Sequence, residues 1–399
     1  MPNMFNTVGE YLVIFIAITV ITFIKLLITP EGTPIFNVYR TPSSLHWLKT
    51  GVMFIILSIQ KLQRMLASTS IEYENLETPQ LLAHDNAIDF VYFTACNAEG
   101  DNFTASIARR SSSLADAHLF LKLPSSSLGL MEHPNTPSTT FSTDKSEFHA
   151  EGLKMISVTP VKKWKITYDG KMRATADSSR LYSIQIYLTF RSSIPIFDSV
   201  VDIDSFLTAS AISLEPWSVE YFQLLNKKDR LHYGQFGELS GKIVIEGKEY
   251  TLSMDAIRYR SYDANWNWAV VHRSVVHYLT AENGDRFIIG KESMPITLSN
   301  LTWGFVYCVR EKKTYPLQGC NFELYQHGEE EEPPMDYAFI CSAGNRQYAI
   351  QIKVEQSSVC YVSKEWECKV IERICNAEID GKRGWGTSRW LYRNVYGKS

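Results

Sequence analysis

Tyr11 to Ile28 is a continuous apolar run, YLVIFIAITVITFIKLLI, in which Lys25 is the one charged residue. Coiled as a helix it would measure roughly 27 Å, close to the hydrocarbon thickness of a bilayer. No polar stripe divides it, as a helix packed on a core would require. Met1–Glu10 carries no basic residue, and no small-x-small cleavage pattern follows Ile28. The pattern therefore predicts a retained transmembrane anchor within residues 1–30 rather than a secretory leader. Arg40, Lys49, Lys61 and Arg64 follow this run and no Lys or Arg precedes it, which places the rest of the chain in the cytosol. The expected address is thus a membrane, single-pass, with the endoplasmic reticulum as its organelle. The sequons at Asn102 and Asn300 point the other way, but such tripeptides arise often by chance.

Residues 31–84 read as a linker. Within it, Trp47, Leu48, Val52, Ile55, Ile56, Ile59, Leu62 and Leu66 recur at helical spacing among Lys49, Lys61 and Arg64. This helix either packs on the soluble body or lies in the membrane interface.

From about Asp85 the period changes. Ile184, Ile186, Leu188 and Phe190 alternate with Ser183, Gln185, Tyr187 and Thr189, and Ile350, Ile352 and Val354 repeat the pattern. These are half-buried strands. Glu99-Gly100, Asp169-Gly170, Glu246-Gly247, Asn283-Gly284 and Asp380-Gly381 read as hairpin turns. One helix is expected, opened by Leu214-Glu215-Pro216-Trp217 and running over 215–228, with Trp217, Tyr221, Leu224 and Leu225 on one face. Pro124–Glu147 and Gly328–Asp336 read as loops, the second with a solvated acidic run. The fold expected is mainly β: two antiparallel barrels in tandem, residues 85–260 and 261–399.

Composition narrows the function. With 40 Lys+Arg against 43 Asp+Glu the net charge is −3, which excludes a broad electrostatic footprint for nucleic acid. Seven cysteines without C-x-x-C spacing suit packed thiols in a reducing compartment, so no metal site is expected. Neither a G-x-S-x-G elbow nor a G-x-G-x-x-G loop occurs, and no cofactor is implied. Two clusters remain. Asp198, Asp202 and Asp204 place carboxylates before the helix, where turn chemistry and capping compete with catalysis. Arg258, Arg260, Trp266, Trp268 and His272 gather cations and aromatics that would either line a ligand cavity or join two domains by cation–π packing. Asp255 completes the candidate acids.

Five stretches together carry a resemblance: DFVYFTACNAEGDNFTASIARR at Asp89–Arg110, EPWS at Glu215–Ser218, HYGQFG at His232–Gly237, the GKIVIEGKEYTL hairpin, and GWGTSRWLYRN at Gly384–Asn394. They resemble the lipocalin-like N-terminal region of invertebrate phosphoenolpyruvate-synthase-like proteins. That region is distantly similar to the tandem lipocalin fold of carotenoid hydratases, fungal cyclases and a yeast ceramide carrier. The resemblance implies two calyx-like barrels, each able to hold an apolar ligand. Phosphoenolpyruvate synthase chemistry is not expected, since this chain ends before nucleotide-grasp and phosphohistidine domains would begin. Related sequences carry Arg-Asp-His-Ser at the domain junction; here Tyr259 and Arg260 replace the Asp-His pair, which removes proton carriers from that place.

The expected function is a membrane-anchored protein binding a lipid or isoprenoid-like molecule. The alternatives are a hydratase, isomerase or cyclase using Asp198, Asp202 or Asp255, and a protein-interaction scaffold. An apolar cavity holding one buried carboxylate favours the enzyme; one without it favours the carrier.

Overall fold

The computed structural model describes residues 32–398 except 68–72, 144–146, 200 and 226–229, together with scattered helical positions between Tyr11 and Lys25. The expected anchor Tyr11–Ile28 falls for the most part outside the described residues. Among those described, no helix is long and apolar enough to cross a membrane.

Twelve strands form the first sheet: β1 (Ile88–Cys96), β2 (Asn102–Arg110), β3 (Leu114–Lys122), β4 (Leu130–Glu132), β5 (Thr140–Ser142), β6 (Phe148–Ala150), β7 (Leu153–Thr159), β8 (Lys163–Ala174), β9 (Asp177–Arg191), β10 (Phe197–Asp198), β11 (Arg230–Ile245) and β12 (Lys248–Asp263). Their antiparallel pairings close through β11-β12-β1-β2-β3-β4-β8-β9 and back to β11. The short β4, inside the stretch expected as a loop, completes that circuit. The second sheet is an eight-stranded up-and-down barrel of β13 (Arg273–Ala281), β14 (Arg286–Met294), β15 (Leu298–Cys308), β16 (Lys313–Cys320), β17 (Asp336–Ala343), β18 (Arg346–Val362), β19 (Cys368–Ile379) and β20 (Lys382–Arg393). The chain is therefore mainly β, with two barrel-like units in tandem.

Four of the five expected hairpin turns form. Glu246 and Gly247, at φ 48° and 81°, make the paired left-handed turn that suits the twist of β11 and β12. Asp169-Gly170 does not turn; it lies within β8, where the Tyr168 ring folds over Gly170 and leaves no room for a Cβ.

Both barrel lumens are filled with side chains. In the first, Phe93 packs against Trp164 and Phe190 with ring centroids 5.8 and 5.5 Å apart. In the second, Phe322, Tyr337, Phe339 and Trp390 surround His277. The barrels meet through outward-facing residues, among them Tyr92, Phe236, Ile257, Tyr278, Ile288, Trp303 and Phe305. Arg389 and Glu372 add a buried ion pair of 2.8 Å there.

Helices α1 (His46–Ala67), α3 (Ser205–Leu214) and α4 (Val219–Leu225) pack together beside the second barrel, while α2 (Tyr73–Glu77) sends Glu77 into the first lumen. Of the helix expected over 215–228, Val219–Leu225 forms as α4, and a further helix, α3, precedes it. Asp204 caps α3, accepting from Phe206 N at 2.9 Å and Leu207 N at 3.0 Å, so the first helix ends where the expected one would begin. Glu215 and Trp217 form the bend between them. Lys49 of α1 lies over the Trp217 ring at 5.4 Å, and Glu215 accepts from Ser299 N at 2.7 Å, which fastens α1 to the second barrel. The α1 helix packs on the body, as one of the two alternatives required. Met53 packs against α3, while Trp47, Ile55, Ile59, Leu62 and Leu66 remain exposed along its outer side.

Candidate functional site

Strand alternation decides which of the candidate residues reach a cavity. Along β12, Arg258 and Arg260 point into the first lumen, and Tyr259 between them points out toward the second barrel. Both arginines are consumed there. Arg258 pairs with Glu77 of α2 and stacks within 5.4 Å of Trp164. Arg260 pairs with Asp89, which also holds Arg109 at 2.7 Å. Neither borders the two large cavities; both stand in buried ion pairs that satisfy charges taken out of water.

The other candidates divide. His272 turns away and meets Glu329 at 2.9 Å, in a cluster with Arg273 and Tyr39, so part of the acidic loop is engaged rather than simply solvated. Asp202 accepts from Asp198 N at 2.8 Å, which makes it a turn-forming residue. Asp255 pairs with Arg286 across the barrel interface at 2.5 Å, beside a void of only about 10 Å³. Trp266 and Trp268 do line a cavity, packed edge to face at 5.3 Å.

That cavity holds about 350 Å³ and lies outside both lumens, at the edge of the interface between them. Its walls include Trp266, Trp268, Trp303, Leu298, Leu301 and Ile203. Into this apolar space project Glu292 from β14, Tyr259 from β12 and His232 from β11. The Glu292 Oε1 accepts from Trp303 Nε1 at 2.9 Å. Glu292 is half-buried, and desolvation lifts its pKa to about 7, against the lowering effect of the Trp303 bond. Tyr259 and His232 are joined through the hydroxyl and Nδ1 at 2.6 Å. Burial first, and the nearby Glu292 charge second, hold the Tyr259 phenol well above its ordinary pKa. The phenol stays protonated, and the His232 tautomer decides which of the two groups donates.

Glu292, Tyr259, His232 and Trp303 were not among the candidates read from the sequence. A faint signal existed for Glu292. On β14 it continues the outward row of Ile288 and Gly290, an acid on a face that packs against another barrel.

A family model described as "Family of unknown function (DUF8627)" matches residues 14–392. The chain belongs to the DUF8627 family. No curated protein matches the sequence, and the resemblance to phosphoenolpyruvate-synthase-like proteins gains no support. Among solved structures, an AttH-like protein from Nitrosomonas europaea is similar over 78% of this chain and 94% of its own, at 12% identity and a TM-score of 0.48. Kievitone hydratase from Nectria haematococca is similar over 79% of this chain and 92% of its own, at 9% identity and a TM-score of 0.48. CghA is similar over 78% of this chain and 89% of its own, at 11% identity and a TM-score of 0.44.

Proposed function

We propose that this DUF8627 protein binds a hydrophobic, isoprenoid-like small molecule in the cavity between its barrels and transfers a proton to or from it at Glu292. The observation that carries this reading is the half-buried Glu292 carboxyl, bonded to Trp303 in a wall of aromatic side chains and held near pKa 7 by desolvation. At neutral pH such a group is present in both protonation states, which suits a general acid or base. Protonation of an electron-rich double bond would leave positive charge on carbon. The π faces of Trp303, Trp268 and Tyr259 offer the stabilisation a bound cation needs. Loss of a proton from the neighbouring carbon then gives an isomer, attack by water with loss of one of its protons a hydrate, and attack by a second double bond a cyclic cation that loses a proton to give a ring. The His232–Tyr259 pair is the second polar group in the cavity and would orient that water or take the departing proton.

A pure carrier would need apolar walls and no such acid, because buried hydrocarbon alone contributes about 0.8 kcal/mol per methylene. Anchoring to a cytosol-facing membrane stays part of the proposal through the Tyr11–Ile28 sequence. The test is incubation of the protein with a total lipid extract in D₂O, followed by mass spectrometry of the recovered lipids. Deuterium or water should enter one lipid species with the unaltered protein and not with Glu292→Gln. Recovery of that species unchanged from both would leave a carrier.

A further inference from the structure

A second cavity, of about 590 Å³, lies under α1 and shares Ser199, Ile203, Leu298 and Leu301 with the first. Its construction has a direction. Met53, Ile56, Leu57, Gln60, Lys61 and Arg64 of α1 all line it, and their spacing puts them on one face of the helix. That face begins apolar, opposite Ile212 and Trp217, and ends cationic. The eleven-residue step from Met53 to Arg64 spans about 16 Å of helix, enough for much of an acyl chain.

We propose that this cavity binds a single-chain anionic amphiphile, with its hydrocarbon against Met53, Ile212 and Trp217 and its acidic head at Lys61 and Arg64. An apolar trough accounts for the chain without polar partners, and the two cations at one end select a carboxylate or phosphate over a neutral head. The proposal stands apart from the reading of Glu292, since it rests on the α1 face and involves no chemical step.

The test is fluorescence titration of the full chain with a dibrominated stearic acid, whose bromines quench nearby indoles. Saturable quenching is expected, most of it lost in Trp217→Phe. The methyl ester of the same acid should bind about tenfold more weakly, and Lys61→Glu with Arg64→Glu should weaken the acid to that level. These rim changes are partly or fully exposed and leave the packed trough intact. Acid supplied in solution and acid supplied in neutral vesicles should both reach Trp217, and their relative rates tell which source the site draws on. Equal affinity for acid and ester would overturn the proposal, as would quenching that survives Trp217→Phe. So would binding seen only with anionic vesicles, which would make α1 a membrane-docking surface instead.

Discussion

Trp303 Nε1 donates to Glu292 Oε1 at 2.9 Å, and both residues stand on the outer face of the second barrel, turned toward the first. The bond fixes the carboxyl without neutralising it. A neutral indole N–H stabilises the carboxylate less than a cation would, so desolvation prevails and the acid stays weak. The site is thus built by the docking of two barrels, and neither barrel holds it alone.

This makes pH a direct probe. The Glu292 pKa rises from the usual 4.5 to about 7 on folding, so the native state holds a proton that the unfolded state has released. Stability from this group is therefore present below pH 4.5 and lost as pH rises toward 7. The whole effect is up to about 3 kcal/mol, less whatever solvation the cavity restores. Glu292→Gln should raise the melting temperature relative to the unaltered protein at pH 8 and lose that advantage at pH 5. Melting curves at the two pH values check it; an advantage independent of pH would show the carboxyl to be well solvated.

The Tyr259–His232 pair makes a separate claim. Tyr259→Phe keeps the ring against Trp303, whose centroid is 6.2 Å away, and removes only the hydroxyl. A hydrogen bond of this kind contributes about 1 kcal/mol to stability, whereas loss of a proton carrier costs about 10²–10⁴-fold in rate. Deuterium incorporation in the lipid assay should fall far more than the melting temperature. If both change in step, the pair is structural.

How the sequence and the structure relate is clearest along β12. The period-two pattern was legible, and so were the barrels, because alternation needs only neighbouring residues. Which row of β12 faced the cavity was not legible, because both rows are enclosed, one by a lumen and one by another barrel. Arg258 and Arg260 drew notice by their charge and proved to be lumen residues, while Tyr259 between them reached the site. Glu292 was hidden for the same reason: one acid in a strand reads as solvent-facing until a second barrel covers it. The α3 helix was hidden by composition. SFLTASAISL lacks a polar face, since it is covered by α1 on one side and by the barrel on the other.

The N-terminal segment contributes to the first barrel through Glu77, which accepts from Arg258, Trp164 and Tyr233 inside the lumen. Glu77→Ala would leave Arg258 buried and uncompensated, at a cost of about 3–5 kcal/mol. Chemical denaturation should show that loss, and Glu77→Ala with Arg258→Met should recover part of it by replacing a buried pair with apolar volume. A double variant no better than the single would mean that α2 is held chiefly by its other contacts.

The last prediction concerns acid. His277 sits inside the second lumen, its ring 5.3 Å from Phe339 and its Nδ1 3.0 Å from Ser388 Oγ. Burial above all, with Arg373 adding repulsion, lowers its pKa from 6.5 to about 3. The unfolded chain binds a proton there below pH 6.5 that the native barrel refuses until about pH 3, so stability is lost as pH falls through that window. One such proton is worth about 1.4 kcal/mol per pH unit. His118 and His133 are lowered by burial as well and contribute to the same slope. His277→Phe keeps an aromatic ring among Phe322, Phe339 and Trp390 and removes one titrating group of the three. Denaturant unfolding between pH 6.5 and 4 should therefore give the variant a shallower decline than the unaltered protein, by up to about one proton. Whatever offset the lost Ser388 bond imposes is the same at each pH and does not alter the slope. Parallel curves would mean that His277 is protonated in the folded barrel, and that the lumen is open to water.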